Sequence, residues 1–194
     1  MHDCVVVVLA AGEGKRMGAP KTTMVVRGRP WLDQQLEALA RLGAADVVVV
    51  VRAGVETPHG IERVENPSPE RGSFSSLQLG LAHSLRSSPR GCFVVPLDVP
   101  VPGASVWQAL ANDLGTGVLA VVPEYGDRRG HPVLLAAPLA ALLVAMPVDA
   151  PESRLDVQLR ALPARTRLVT VVDDPRVLLN LNTTDDVRRI EEAG

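Results

Sequence analysis

The chain has 194 residues, a mass of 20.6 kDa, and 20 basic side chains against 22 acidic ones, for a formal net charge of -2. That balance, with five aromatic residues in all, supplies neither the cationic excess that a nucleic-acid backbone demands nor a platform on which bases could stack, so no nucleic-acid partner is expected. At this length on the order of 70% of the extended chain's surface can be buried, so one core is expected to hold without staples, and Cys4 and Cys92 suggest no disulfide framework.

The first predicted element is a strand from Val5 to Leu9, a continuous β-branched run of the kind that a central parallel strand covered on both faces requires. A polar, glycine-rich loop follows. Trp31 to Leu42 places Leu32, Leu36, Leu39 and Leu42 at helical spacing and stops at Gly43. Val47 to Val51 is a second buried strand, Ile61 to Asn66 a more polar outer one, and Ser73 to Ser87 a helix carrying Leu77, Leu81 and Leu85. Cys92 to Val95 returns to the core and ends at Pro96-Leu97-Asp98-Val99-Pro100. This alternation is that of a doubly wound α/β unit.

The texture then changes without a linker. A helix over Ala104 to Leu114 precedes strands at Val118 to Val122 and Pro132 to Ala136, separated by a charged turn at Gly126 to Arg129, which suggests an antiparallel excursion. Helices at Leu139 to Ala145 and Arg154 to Leu162, a strand at Arg167 to Val172 and a closing helix at Thr184 to Ala193, capped by Thr183 or Thr184, complete the chain. One domain spanning residues 1–194 is expected. The longest apolar runs, Val5 to Ala11 and Val47 to Val51, fall well short of the roughly 18 residues of a membrane span, and no basic leader precedes the first of them. The expectation is a reduced, cytoplasmic protein without a membrane partner.

The segment Leu9 to Lys21, LAAGEGKRMGAPK, carries the most chemistry. A buried strand delivers Gly12 and Gly14 to its carboxyl end, where open α/β sheets bind ligands, and Lys15, Arg16 and Lys21 follow within a few residues. Glycines let backbone N–H groups approach phosphate oxygens, and the cations neutralise them, which describes a polyphosphate cradle. Both lysines of the chain lie here, against eighteen arginines spread elsewhere and in this loop. A dinucleotide fingerprint would need a helix opening within the glycines, but Pro20, Gly28 and Pro30 delay the next helix to Trp31. A Walker A loop would need Gly-Lys-Ser or Gly-Lys-Thr, which is missing; a solvated charged loop is the plain alternative.

Asp98, at the end of a buried strand between prolines, could hold Mg²⁺, which favours one or two carboxylates together with substrate phosphates. Asn180 and Asn182 alternate across Leu181 and would share a face in an extended segment; which of them approaches the metal is left open. Ser75 and Ser76 open a helix and could contact nucleobase or ribose, or simply cap the helix.

LAAGEGKRMGAPK resembles the signature loop of the molybdenum-cofactor nucleotidyltransferases, in particular the molybdopterin cytidylyltransferase branch. The likeness continues in order through Glu65-Asn66-Pro67, Gly72 to Leu77, Gly80-Leu81, Leu97-Asp98-Val99-Pro100, Gly130-His131-Pro132 and Asn180-Leu181-Asn182-Thr183. It implies a single-domain Rossmann-like three-layer α/β/α nucleotidyltransferase fold with a mostly parallel sheet. It also implies Mg²⁺-dependent transfer of CMP from CTP to the terminal phosphate of molybdopterin, or of molybdenum-molybdopterin, with release of pyrophosphate.

By the same resemblance Arg16, Lys21 and Asp98 are catalytic. Leu9, Ala10, Ala11, Gly12, Gly14, Lys15, Arg16, Lys21, Asn66, Ser75, Ser76 and Asp98 bind nucleotide. Gly130, His131, Pro132, Asn180 and Asn182 face the acceptor, and Asp98 with Asn182 holds the metal. A molybdenum enzyme that receives the product is the implied partner. Asn180 to Thr183 looks more like the guanylyltransferase branch, so guanylyl transfer from GTP is the alternative, beside transfer to another small phosphorylated acceptor or a non-catalytic nucleotide-binding accessory role.

Overall fold

The structure, a computed structural model, describes residues 3–12 and 20–192. The core is a mixed sheet built from β1 (Cys4–Leu9), β4 (Val47–Arg52), β5 (Glu62–Asn66), β6 (Gly91–Pro96), β7 (Ala120–Tyr125), β9 (Val133–Ala136) and β10 (Arg167–Val171). The order across it is β10-β7-β9-β6-β1-β4-β5, with the two-residue β8 (Arg128–Arg129) paired to β7. β1 is parallel to both neighbours; β9 runs antiparallel between β6 and β7, and β8 antiparallel beside β7, which is the expected excursion.

The valine runs are continuous because each strand is covered twice. Val6, Val8, Val49, Val51, Phe93, Val95 and Leu134 face one helical layer, and Val7, Val50, Cys92, Val94, Val122 and Leu135 face the other. The first layer holds α1 (Trp31–Arg41), α3 (Ala104–Asp113) and the apolar side of α6 (Thr184–Glu192); the second holds α2 (Ser73–Ser84), α4 (Ala137–Ala145) and α5 (Leu155–Ala161). This is the three-layer arrangement expected from the sequence.

Helix α2 lies unusually close to the sheet. A Cβ on Gly80 would come within 2.4 Å of Val7 Cγ1 and 2.9 Å of Val50 Cγ2, so glycine is what lets the helix seat directly on β1 and β4. Thr183, rather than Thr184, caps α6: its hydroxyl accepts from Asp186 N at 3.1 Å while Asp186 Oδ2 accepts from Thr183 N at 2.9 Å, a reciprocal capping box.

Two short elements were not anticipated. β2 (Val25–Val26) and β3 (Arg29–Pro30) form a hairpin around Arg27 and Gly28, both at positive φ, and its end delivers Trp31 into the core. The strand expected from Val118 begins at Ala120 instead, because Gly115 to Val118 closes a turn with Gly117 at φ +81°.

Candidate active site

β1 is the point where the sheet's winding reverses, with β4 on one side and β6 on the other, and a crevice at the carboxyl ends of such strands is the usual ligand position in open α/β sheets. A cleft of about 930 Å³ opens there. Its lining includes Leu9 at the end of β1, Ala11 and Gly12 beyond it, the first turn of α2, Asp98 after β6, Gly130 and His131 before β9, and one side of α5.

The loop after β6 is held from several directions. Leu97 N donates to Leu9 O at 3.0 Å, extending the β1–β6 pairing, and Val99 N donates to Pro96 O at 3.0 Å, closing a turn. The indole N–H of Trp31 donates to Leu97 O at 2.7 Å. From the far end of the chain, Leu181 N donates to Asp98 O at 2.8 Å. Asp98 is therefore a buried carboxylate on a pinned backbone.

Lys21 lies in a 3-10 turn, Lys21–Thr23, that follows Pro20. Its ammonium forms an ion pair with Asp98 Oδ2 and donates to Asn182 Oδ1 at 3.3 Å. Three residues singled out from sequence thus meet in one cluster, although 161 positions separate Lys21 from Asn182. Gly12 stands beside them, since a Cβ there would lie 3.9 Å from Lys21 Cδ. Asn180 does not join: it is exposed and its amide donates to Leu178 O at 3.3 Å. The pair does not share a face because the segment bends, with Asn182 N donating back to Asn180 O at 3.1 Å.

Asn66, at the end of β5, is 1% exposed and ties the start of α2 to the sheet. Its amide donates to Ser75 Oγ and Ser76 Oγ, each at 2.9 Å, and its carbonyl accepts from Ser68 N at 2.9 Å. Ser75 in turn donates to Gly72 O at 2.7 Å. Of these three, Ser76 lines the cleft, while Asn66 and Ser75 shape the backbone of the wall. Leu9 and Ala11 line the cleft as well, whereas Ala10 is buried in the core. Gly14, Lys15 and Arg16 lie outside the described residues.

The Gly130-His131-Pro132 segment, whose His131-Pro132 bond is cis, is seated against the turn Pro175–Leu178. His131 N donates to Val177 O at 2.9 Å, and a Cβ on Gly130 would stand 2.0 Å from that same oxygen, so no other residue fits at 130 without displacing the turn. Asp174 latches the turn from beneath, accepting from Gly103 N at 2.8 Å and from Arg176 through its backbone and guanidinium. Burial drives the His131 pKa down, partly opposed by the charge of Asp98 and a hydrogen bond to the Val94 backbone, and its Nδ1 is buried without a hydrogen-bond partner. Pro132 is buried behind it.

Sequence reasoning did not find the arginines along the cleft's outer wall, Arg129, Arg154, Arg160 and Arg167, nor the latch at Asp174. Their signal is a tertiary one: the arginines come from three separate segments. Among the described residues no three His, Cys, Asp or Glu side chains converge as a metal cage, and no helix is long and apolar enough to cross a membrane.

Comparison with known proteins agrees with this arrangement. The chain is 28% identical over 207 aligned positions to a molybdenum cofactor guanylyltransferase of Sinorhizobium fredii, covering 97% of this chain and 91% of that protein. The crystal structure of Rv0371c from Mycobacterium tuberculosis shares the fold, with a TM-score of 0.77 at 20% identity over 98% of both chains. That protein has also been solved in complex with manganese, with a TM-score of 0.74. Molybdopterin-guanine dinucleotide biosynthesis protein A from Archaeoglobus fulgidus shares it too, with a TM-score of 0.72 at 22% identity over 97% of each chain. Residues 6–175 match the profile of the MobA-like NTP transferase domain, so the chain belongs to this family of nucleotidyltransferases.

Proposed function

We propose that this chain transfers a nucleoside monophosphate from a nucleoside triphosphate to the terminal phosphate of a phosphorylated pterin, molybdopterin or its molybdenum form, and releases pyrophosphate. The observation that carries the reading is the Lys21–Asp98–Asn182 cluster at the winding reversal of the sheet, beside Gly12. In the reaction an oxygen of the acceptor phosphate attacks the α-phosphorus, and the bond from that phosphorus to the oxygen bridging the β-phosphate breaks. The attacking group is already an anion, so alignment and charge neutralisation matter more than a base.

Lys21 supplies a compact cation on a short tether, and two of its three N–H donors are engaged by Asp98 and Asn182, leaving one for a phosphate oxygen. Asp98 and Asn182 present a carboxylate and an amide oxygen to the same ammonium, the oxygen donors that suit Mg²⁺, so the pair would hold the metal when the Lys21 ammonium turns to the phosphates. When bound, the metal would neutralise charge on the phosphates. The first turn of α2, held by Asn66, offers Ser73 and Ser76 to the nucleoside, and Gly130 and His131 shape the acceptor side.

CTP is the donor that the Gly72 to Leu77 and Gly130 to Pro132 segments favour by resemblance; GTP is the second reading, favoured by the name of the Sinorhizobium relative. The deciding experiment crosses CTP, GTP, ATP and UTP with the phosphorylated pterin in the presence of Mg²⁺ and measures pyrophosphate. Release is expected only when both substrates are present, with one triphosphate preferred. Asp98→Ala and Lys21→Ala should each lower the rate by about a hundredfold or more. No release from any combination, with both substrates bound, would overturn the reading.

A further inference from the structure

The outer face of α4 is apolar and unpartnered. Every residue of the helix, Ala137 to Ala145, is apolar. Leu139, Ala140 and Leu143 are buried in the core, which leaves Pro138, Ala141, Leu142 and Ala145 exposed. These four recur at i, i+3, i+4 and i+7, the spacing of a stripe that packs against another helix. Leu142 is 62% exposed, and no other helix among the described residues exposes a large apolar side chain. A helix that is apolar all round is ordinarily covered on every side. Ala82, one turn beyond Gln78 on the neighbouring α2, is exposed as well and widens the patch.

The two ends of the stripe differ in charge. The amide of Gln78 donates to Leu143 O at 2.9 Å and to Met146 O at 2.7 Å, at the carboxyl end of α4, while the turn Leu85–Ser87 that follows α2 packs near its amino end. The two helices are therefore antiparallel, and Arg86 stands by the start of α4. Beyond its end the chain folds back, with Ala150 N donating to Pro147 O at 3.4 Å and Ser153 N to Ala150 O at 2.9 Å, which keeps Glu152 by the carboxyl end. Arg86 and Glu152 are both exposed, and neither side chain makes an ion pair among the described residues.

From this arrangement we infer that α4 is the contact of a two-fold homodimer, in which the helix lies antiparallel across the same helix of a second copy. The axis passes by Ala141 and Leu142, the middle of the stripe, so each Leu142 is covered by the opposing helix. Antiparallel docking sets Arg86 of one chain against Glu152 of the other, twice over, whereas parallel docking would bring like charges together. An uncharged stripe between opposite charges is complementary to itself, which is what a two-fold contact requires. No residue of α4 lines the cleft, so the contact stands apart from the transfer reaction proposed above.

The first test is sedimentation equilibrium of the full chain from about 1 to 200 µM. The stripe belongs to the small end of interface sizes, and half-dimerisation is expected at roughly 10–100 µM. Leu142→Glu should weaken the dimer at least tenfold, with an unchanged melting temperature because the side chain is outside the core. Arg86→Glu should weaken it several-fold, and Arg86→Glu/Glu152→Arg should restore it to within twofold of wild type. A chain that stays monomeric throughout, whether or not the face then captures phosphatidylcholine vesicles, overturns the inference. So does a dimer indifferent to Leu142→Glu, and a charge reversal without rescue overturns the antiparallel arrangement.

Cross-linking supplies a second measurement. Cys4 and Cys92 are buried, so a cysteine placed on the surface is the accessible thiol among the described residues. Under mild oxidation Leu142→Cys should run as a disulfide-linked dimer on a non-reducing gel. Val171→Cys, on β10 and 77% exposed, should remain a monomer. Equal cross-linking of the two variants, or none of Leu142→Cys, refutes the contact at α4.

Discussion

Replacing Gly130 by alanine tests whether the Gly130-His131-Pro132 segment is positioned by the turn beneath it. The added Cβ would stand 2.0 Å from Val177 O and 2.6 Å from the carbonyl carbon, against about 3 Å for the closest tolerable approach, so backbone must separate by roughly an ångström. That movement breaks the 2.9 Å bond from His131 N to Val177 O, worth about 1 kcal/mol, and adds an overpacking cost of about 1–3 kcal/mol. A loss of about 2–4 kcal/mol corresponds to a fall in melting temperature of roughly 5–15 °C for a domain of this size.

The displacement also has a direction. Val177 belongs to the segment that runs on to Leu181 and Asn182, so pushing it outward draws Asn182 away from Lys21. Thermal unfolding followed by circular dichroism, together with pyrophosphate release at saturating triphosphate, would check both effects, the second expected as a loss of tenfold or more. A Gly130→Ala chain that melts within a degree of wild type and retains its rate would refute the packing argument.

Three further outcomes are expected. Asp174→Asn should cost about 1.5–3 kcal/mol near neutral pH, where it weakens charge-assisted bonds to Arg176 and Gly103, and progressively less as pH falls below 3.8. Burial raises the Asp174 pKa, but the Arg176 guanidinium and the bonds from Gly103 and Arg176 N more than offset this and hold it below the usual 3.8. The folded state thus binds the proton less readily than the unfolded chain, so the stabilisation is present above pH 3.8 and is lost as pH falls; urea melts across pH that show a constant difference would contradict it. Trp31→Phe leaves Leu97 O without its 2.7 Å donor and should cost about 1–3 kcal/mol while raising the Mg²⁺ needed for half-maximal activity several-fold, and an unchanged Mg²⁺ dependence would contradict it. Cys92, whose thiol burial pushes up to about 12 with a smaller contribution from Cys4, should resist iodoacetamide at pH 8 by roughly a thousandfold relative to a free thiol, as read by mass spectrometry, until the chain is unfolded.

The sheet and its two helical layers were legible because their signals are local. Val5 to Leu9 and Val47 to Val51 are apolar at every position, which a strand buried on both faces requires, and Trp31, Leu32, Leu36 and Leu39 repeat at helical spacing. The β2–β3 hairpin escaped because its strands have two residues each and its turn is Arg27-Gly28 rather than the more telling Asn-Gly. Lys21, Asp98 and Asn182 were recognisable as motifs, and the fold supplies their meeting. The choice of Asn182 over Asn180 was not legible, since alternation assigns faces only to an extended segment and this one turns back on itself. The arginine wall was hidden for a further reason: arginine is frequent throughout the chain, and nothing in its local sequence separates Arg167, fastened to α5, from one solvated on the surface.

The tie between Lys21 and Asn182 gives the candidate site an unusual relation to chain assembly. Every strand of the sheet is complete by Val171, yet the second of the two side chains that hold the lysine, Asn182, arrives later, with the segment that docks Leu181 onto the Asp98 loop. A chain could therefore complete its sheet while the Lys21–Asp98–Asn182 cluster and the last core positions, Val177 and Leu181, were still open. Closing that cluster would be a last local step, taken together with the burial of Leu181.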